Sequence, residues 1–167
     1  MRFDALAFAF ALAVTIHNLE EALFLPAWSR RAGRWHVAIG SREFRFAVFM
    51  LTLLAYLCAG LAAAGFLVGA YLVCGYALAM ALNAFVPHLA ASVALRSYAP
   101  GTASGLLLNL PIGVALLIEA GAERRIAWPT FAWAGPATVL AILAAIPLLF
   151  ALGRALGARL GGGGQSC

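Results

Sequence analysis

The chain is expected to be all-α, a polytopic transmembrane helical bundle of about five spanning helices, with its N-terminus outside and its C-terminus cytoplasmic. Three observations predict this. It is 65% hydrophobic with 10% charged residues and a mean hydropathy of +0.97, a balance foreign to soluble domains. Long, nearly uncharged runs recur along its 167 residues. Its net charge of +5 rests on Arg alone, and the Arg residues are unevenly divided between the two sides those runs define.

The first span is expected near residues 4–25. It begins with one Arg and an apolar run, as a signal peptide would, but continues through His17, Glu20 and Glu21 to Pro26 without a small-residue cleavage site. It therefore reads as a retained helix. The second and third spans, near 45–61 and 66–95, are separated only by the small-residue stretch Gly60 to Gly65. Gly65 with Gly69, Gly60 with Ala64 and Gly75 with Ala79 share a small-x-x-x-small spacing, which predicts close backbone packing here. The fourth and fifth spans are expected near 102–122 and 131–152, and most of the runs are long enough to cross roughly 30 Å of hydrocarbon. Pro87, Pro111 and Pro147 fall inside the third, fourth and fifth spans; each frees a carbonyl one turn earlier and can kink its helix. The domain is expected to end at residue 153, followed by a flexible tail over 154–167 that closes in "LGGGGQSC".

Arg30, Arg31, Arg34, Arg42 and Arg45 lie between the first two spans, Arg96 follows the third, and Arg154 and Arg159 follow the fifth. Only Arg2, Arg124 and Arg125 lie on the other side, which by the positive-inside rule sets the orientation. Trp28 and Trp35 among the loop arginines read as interfacial anchors, so membrane lipids are the expected partners and nucleic acid is not. Cys58 and Cys74 sit in spans and Cys167 ends the tail, so no disulfide framework is expected. An Ala- and Arg-rich, Lys-free chain suggests a bacterial inner membrane. No internal repeat is evident.

The chemistry concentrates in "TIHNLEEALFLP", residues 15–26. On a helix Glu20 and Glu21 lie three and four residues from His17, so both carboxylates flank the face that carries the imidazole. That is chelating geometry, and an ionised Glu at mid-membrane otherwise costs about 2.5–3.5 kcal/mol. A bound cation, a proton or a water-filled cavity would each remove that cost. One helix supplies too few ligands, and the third span offers Asn83 and His88 in its last third. The first and third spans run in the same direction, so these groups reach one depth in the cytoplasmic half. Tyr98, Pro100 and Gly101 turn the chain at that face, and Asn109 lies early in the fourth span. Glu119 approaches the opposite face and reads as a boundary residue.

"HNLEE", then Asn83 with His88, then "YAPG" at residues 98–101 resembles the HXXEE-domain family of small bacterial membrane proteins, over about residues 10 to 120. That family is recognised by H-x-x-E-E, an Asn followed shortly by a His, and Y-x-P-G. Four residues including Pro87 separate Asn83 from His88, where three are usual. A Pro-associated bulge would let an i, i+5 pair share a face. The resemblance implies a suggested catalytic role without an assigned reaction.

The residues themselves predict a membrane-embedded metalloenzyme. His17, Glu20 and His88 are its expected ligands, with Glu21 a further ligand or general base, for a divalent zinc or iron. Asn83, Arg96 and Asn109 are candidates for holding substrate, and Tyr98 for donating to an oxyanion or capping the interface. Arg96 and the loop arginines suit an anionic headgroup, hence a lipid-like or amphipathic substrate. Two other classes stay open: a proton- or cation-coupled carrier, for which a homo-oligomer would supply missing spans, and a non-catalytic module whose polar cluster locks helices together.

Overall fold

Among the described residues of the computed structural model, five helices are long and apolar enough to cross a membrane: α1 (Phe3–Ser29), α2 (Ser41–Ala63), α3 (Leu67–Ala94), α4 (Thr102–Ala122) and α5 (Trp128–Gly161). The structure describes residues 2–30 and 40–161, with side chains through residue 157. Arg31, Arg34, Trp35 and the Gly-rich end with Cys167 lie outside the described residues. No strand occurs among the described residues. Helix α5 continues past residue 153, the expected domain end, to Gly161.

The core lies between α1, α2, α3 and α4, where Phe10 and Val14 of α1 meet Cys58 of α2, Val73 and Cys74 of α3 and Leu116 of α4. Cys58 and Cys74 are free thiols. The outward faces are apolar too: Leu12, Leu19 and Leu23 on α1 and Leu140 and Leu148 on α5 are all exposed. So much exposed hydrocarbon is abnormal for a water-facing surface and normal for one that meets lipid. Helix α5 packs on α2 and α3 and leaves most of its own surface outside.

Helices α2 and α3 divide inside the expected small-residue stretch, at a turn where Gly65 adopts φ +85°. Gly69 then meets α2 backbone to backbone: a Cβ there would lie 2.4 Å from the Ala62 nitrogen. Gly75 lies close against the side chain of Thr138 on α5. Of the small residues expected to pack closely, Gly69 and Gly75 do so, whereas Gly60 and Gly65 have open space beside them.

Proline acts differently in different helices. The first span, expected near residues 4–25, runs on as a helix through Pro26 to Ser29. The carbonyl that Pro26 leaves without its helical donor is that of Ala22, and the Arg45 Nε–H donates to it at 3.2 Å. In α3 the helix widens into a π-type turn over Ala84–Leu89 around Pro87, with Val86 extended at φ −134°, ψ 114°. A second wide turn, Gly105–Asn109, precedes Pro111 in α4.

At the far end Arg125 pairs with Asp4, and its guanidinium lies 4.9 Å over the Phe3 ring. The Glu123 carboxylate also accepts the Phe3 N–H at 3.0 Å. These contacts tie the start of α1 to the end of α4. The later half of α1 therefore runs beside the beginning of α4, where the polar residues meet.

Because the Cβ of an Ala at position 69 would enter α2 backbone, which cannot yield as a side chain can, Gly69→Ala is expected to cost about 1–3 kcal/mol. Thermal unfolding in detergent checks this, and an unchanged midpoint would refute the close packing.

Candidate metal centre

Residues 17 to 21 of α1 point to two different neighbours, because successive residues on a helix diverge by about 100°. Glu21 turns toward α3, and Glu20 toward the turn between α3 and α4.

On the α3 side, the π-type turn brings His88 back over Asn83 despite their five-residue spacing. Asn83 Nδ2 lies 3.0 Å from His88 Nε2 and 3.3 Å from His17 Nε2. Glu21 Oε1 lies 2.9 Å from His88 Nε2 and 3.6 Å from His17 Nε2. The two imidazoles stand edge to face with centroids 5.2 Å apart. One nitrogen of each ring and a Glu21 oxygen all fall within 4.8 Å of one another, and all three residues are buried. That spacing is suited to one shared cation.

On the other side, Glu20 lies apart from this cluster, correcting its expected place among the ligands. Its Oε2 accepts from Ser104 Oγ at 2.5 Å. Its Oε1 accepts the Gly101 N–H at 2.9 Å and the Tyr98 hydroxyl. The Ala103 N–H donates in turn to the Tyr98 oxygen at 3.2 Å. Ser104 also lies 3.0 Å from His17 Nδ1, so it joins the two halves of the motif.

The Tyr98–Gly101 turn is stiffened from within: Thr102 Oγ1 donates to the Ala99 carbonyl at 2.7 Å, and the Ala99 N–H to Ser92 Oγ at 3.0 Å. Pro100 is buried in it. Gly101 is required twice, by φ +94° and because a Cβ would meet the His88 ring at 2.6 Å. The Y-x-P-G motif is thus the surface on which Glu20 and His88 both rest.

Two cavities flank α1. One, of about 360 Å³, is bordered by His17, Glu21, Asn83 and His88 and is otherwise largely apolar, with Leu25, Phe44, Val48 and Ile142 among its walls. The other, of about 840 Å³, is lined by Glu20, Phe24, Tyr98 and Pro100. Arg96 and Asn109, expected to hold substrate, line neither. Arg96 sits exposed at the end of α3 with φ +48°. Asn109 is fully buried in the second wide turn, and neither end of its amide has a hydrogen-bond partner among the described residues.

Two polar residues escape a sequence reading. Ser104 looks like an ordinary serine at a helix start, and nothing in its spacing announces contact with His17 or Glu20. Asn18 lies inside the H-x-x-E-E motif itself; its amide donates to Thr52 Oγ1 at 2.8 Å and to the Val48 carbonyl at 3.2 Å, fastening α2 beside the cluster.

This arrangement defines a class: an all-helical bundle, with helices long and apolar enough to cross a membrane, enclosing a buried His–Glu–His cluster. Within that class the chain belongs to the HXXEE family, described as "protein of unknown function with HXXEE motif", which matches residues 8–116. "Uncharacterized protein YrkK" of Bacillus subtilis (strain 168) is 37% identical over 150 residues, 86% of this chain and 92% of that one. No solved structure matches the chain.

Burial first, and then the bond to Glu20, raise the Tyr98 phenol above its ordinary value. The Tyr98–Glu20 bond is therefore fully present below the usual phenol value of about 10 and is lost as pH rises through the higher folded value. Ultraviolet titration of the protein against Tyr98→Phe should assign Tyr98 a midpoint above about 10; a midpoint at or below it would contradict this. Gly101→Ala combines left-handed strain with the His88 clash, so a loss of more than about 1 kcal/mol is expected in thermal unfolding.

Proposed function

We propose that this chain is a membrane-embedded, metal-dependent enzyme of hydrolase or oxidoreductase type. It acts at the cytoplasmic side on a lipid-like or amphipathic substrate. The observation that supports it most is the meeting of His17 Nε2, His88 Nε2 and Glu21 Oε1 beside an apolar cavity. Two imidazoles and one carboxylate suit zinc or non-haem iron, which would supply Lewis acidity or redox chemistry respectively.

Hydrogen-bond parity supports a cation in this cluster. His88 Nε2 faces both the Asn83 amide and Glu21 Oε1, and a neutral ring nitrogen can serve only one as donor or the other as acceptor. With the amide nitrogen on that side, a donor meets a donor or a lone pair meets a carboxylate unless a positive charge joins the group. Glu21 is the carboxylate bordering the cavity, so it is the one placed to ligate or to take a proton from a bound substrate or water. Asn83, beside both rings, positions them and meets what enters. The apolar walls accept a hydrocarbon tail, and Arg30, Arg42, Arg45 and Arg96 follow or precede the spans at this end, where they suit an anionic headgroup and a cytoplasmic setting.

Elemental analysis of detergent-purified protein tests the reading. One equivalent of zinc or iron per chain is expected in the wild type, and its loss in His17→Ala and in His88→Ala. A folded wild type without metal would overturn it.

A second reading follows if the positive charge is a proton. Adjacent Glu20 and Glu21 border two different cavities, an arrangement that suits a proton-coupled carrier. Proton flux in proteoliposomes that disappears in Glu21→Gln, from protein holding no metal, would favour it.

A further inference from the structure

Glu20, the motif's first carboxylate, bonds to Ser104 and the turn rather than to the imidazoles, and its neighbours settle the direction of a proton. Three donors converge on it: the Gly101 N–H, the Tyr98 hydroxyl and the Ser104 hydroxyl. A carboxylate so surrounded acts only as acceptor. The single hydroxyl proton of Ser104 is therefore spent on Glu20 Oε2, at 2.5 Å. Toward His17 Nδ1, at 3.0 Å, Ser104 can then offer only a lone pair, so this ring nitrogen must carry the hydrogen. A neutral His17 held in that way has its lone pair on Nε2, the atom that faces Glu21, His88 and the donating Asn83 amide.

We infer that Ser104, backed by Glu20, is a positioning residue that locks His17 in the Nδ1–H tautomer and so presents Nε2 as a ready metal ligand. The inference rests on the metal-centre reading proposed above, and it assigns the two adjacent carboxylates separate duties. Glu21 faces the two imidazoles, and Glu20 acts behind His17 through Ser104. Ligating histidines commonly donate their second ring hydrogen to an oxygen acceptor, which fixes tautomer and orientation together. Here the acceptor is a hydroxyl whose own hydrogen is already committed, so rotation of Ser104 cannot reverse the polarity of the contact. The turn completes the device, because Tyr98 and the Gly101 N–H hold Glu20 in place.

Two measurements on the full chain in detergent test this. The first is the 15N signature of the His17 ring in metal-free protein, which separates the two neutral tautomers independently of any metal. The second is zinc affinity by calorimetric titration. Ser104→Ala is expected to move His17 from Nδ1–H toward a tautomer mixture and to weaken zinc binding about 10–100-fold. Ser104→Thr, which keeps the hydroxyl, should restore both, and this separates positioning from a general packing defect. A wild type that binds zinc, with tautomer and affinity unchanged in Ser104→Ala, overturns the relay alone. A wild type that binds neither zinc nor ferrous iron in the same titration overturns the metal reading; the 15N comparison then decides the tautomer lock by itself, a shift in Ser104→Ala supporting it and no shift overturning it.

Discussion

The carboxylate of Glu20 is the contact on which the site depends. A charged oxygen pair midway along a helix that can cross a membrane is tolerable only when donors surround it, and no single helix can supply them. The turn from Tyr98 to Ser104 brings three to it. Once that turn is drawn onto α1, the rest is constrained: α4 must begin beside His17, and Gly101 must lie against the His88 ring. The loop is thus a structural member of the core.

The same polar contacts explain why α3 is irregular where it passes the site. A straight α-helix would set residues 83 and 88 about 140° apart, and only a wider turn brings both side chains to His17. The Ala84–Leu89 segment makes that turn. Pro87, which can donate no backbone hydrogen, sits where a regular ladder is already broken. The second wide turn, ending at Asn109, shares this depth. Elsewhere the bundle is conventional, with glycines at close helix crossings and apolar side chains outward.

Glu20 and Glu21 show how neighbours in sequence acquire opposite roles. Both are within reach of His17 by helical spacing alone, and for that reason they read together as ligands. Divergence of about 100° between them sends one to the turn and the other to α3 and the cavity. Helical periodicity therefore places both carboxylates near the imidazole without assigning either a task. The assignment comes from what packs on each side.

The amino-acid sequence by itself determined the five apolar spans, the division of α2 from α3 near Gly65, and the residue types that gather at the site. These follow from hydrophobic run length and from the expense of isolated polar groups in lipid, which are local properties of a chain. The three motifs were legible for the same reason, and the Asn83–His88 spacing, with Pro87 inside it, pointed to a bulge. Only the tertiary structure decided that Glu20 belongs to the turn, that Ser104 joins it to His17, and that Arg96 and Asn109 stand outside the cavities. It also decided that Pro26 continues α1, because the donor replacing its missing bond, Arg45, arrives from another helix. Such facts depend on pairings between residues 23 to 87 positions apart, which no local pattern encodes.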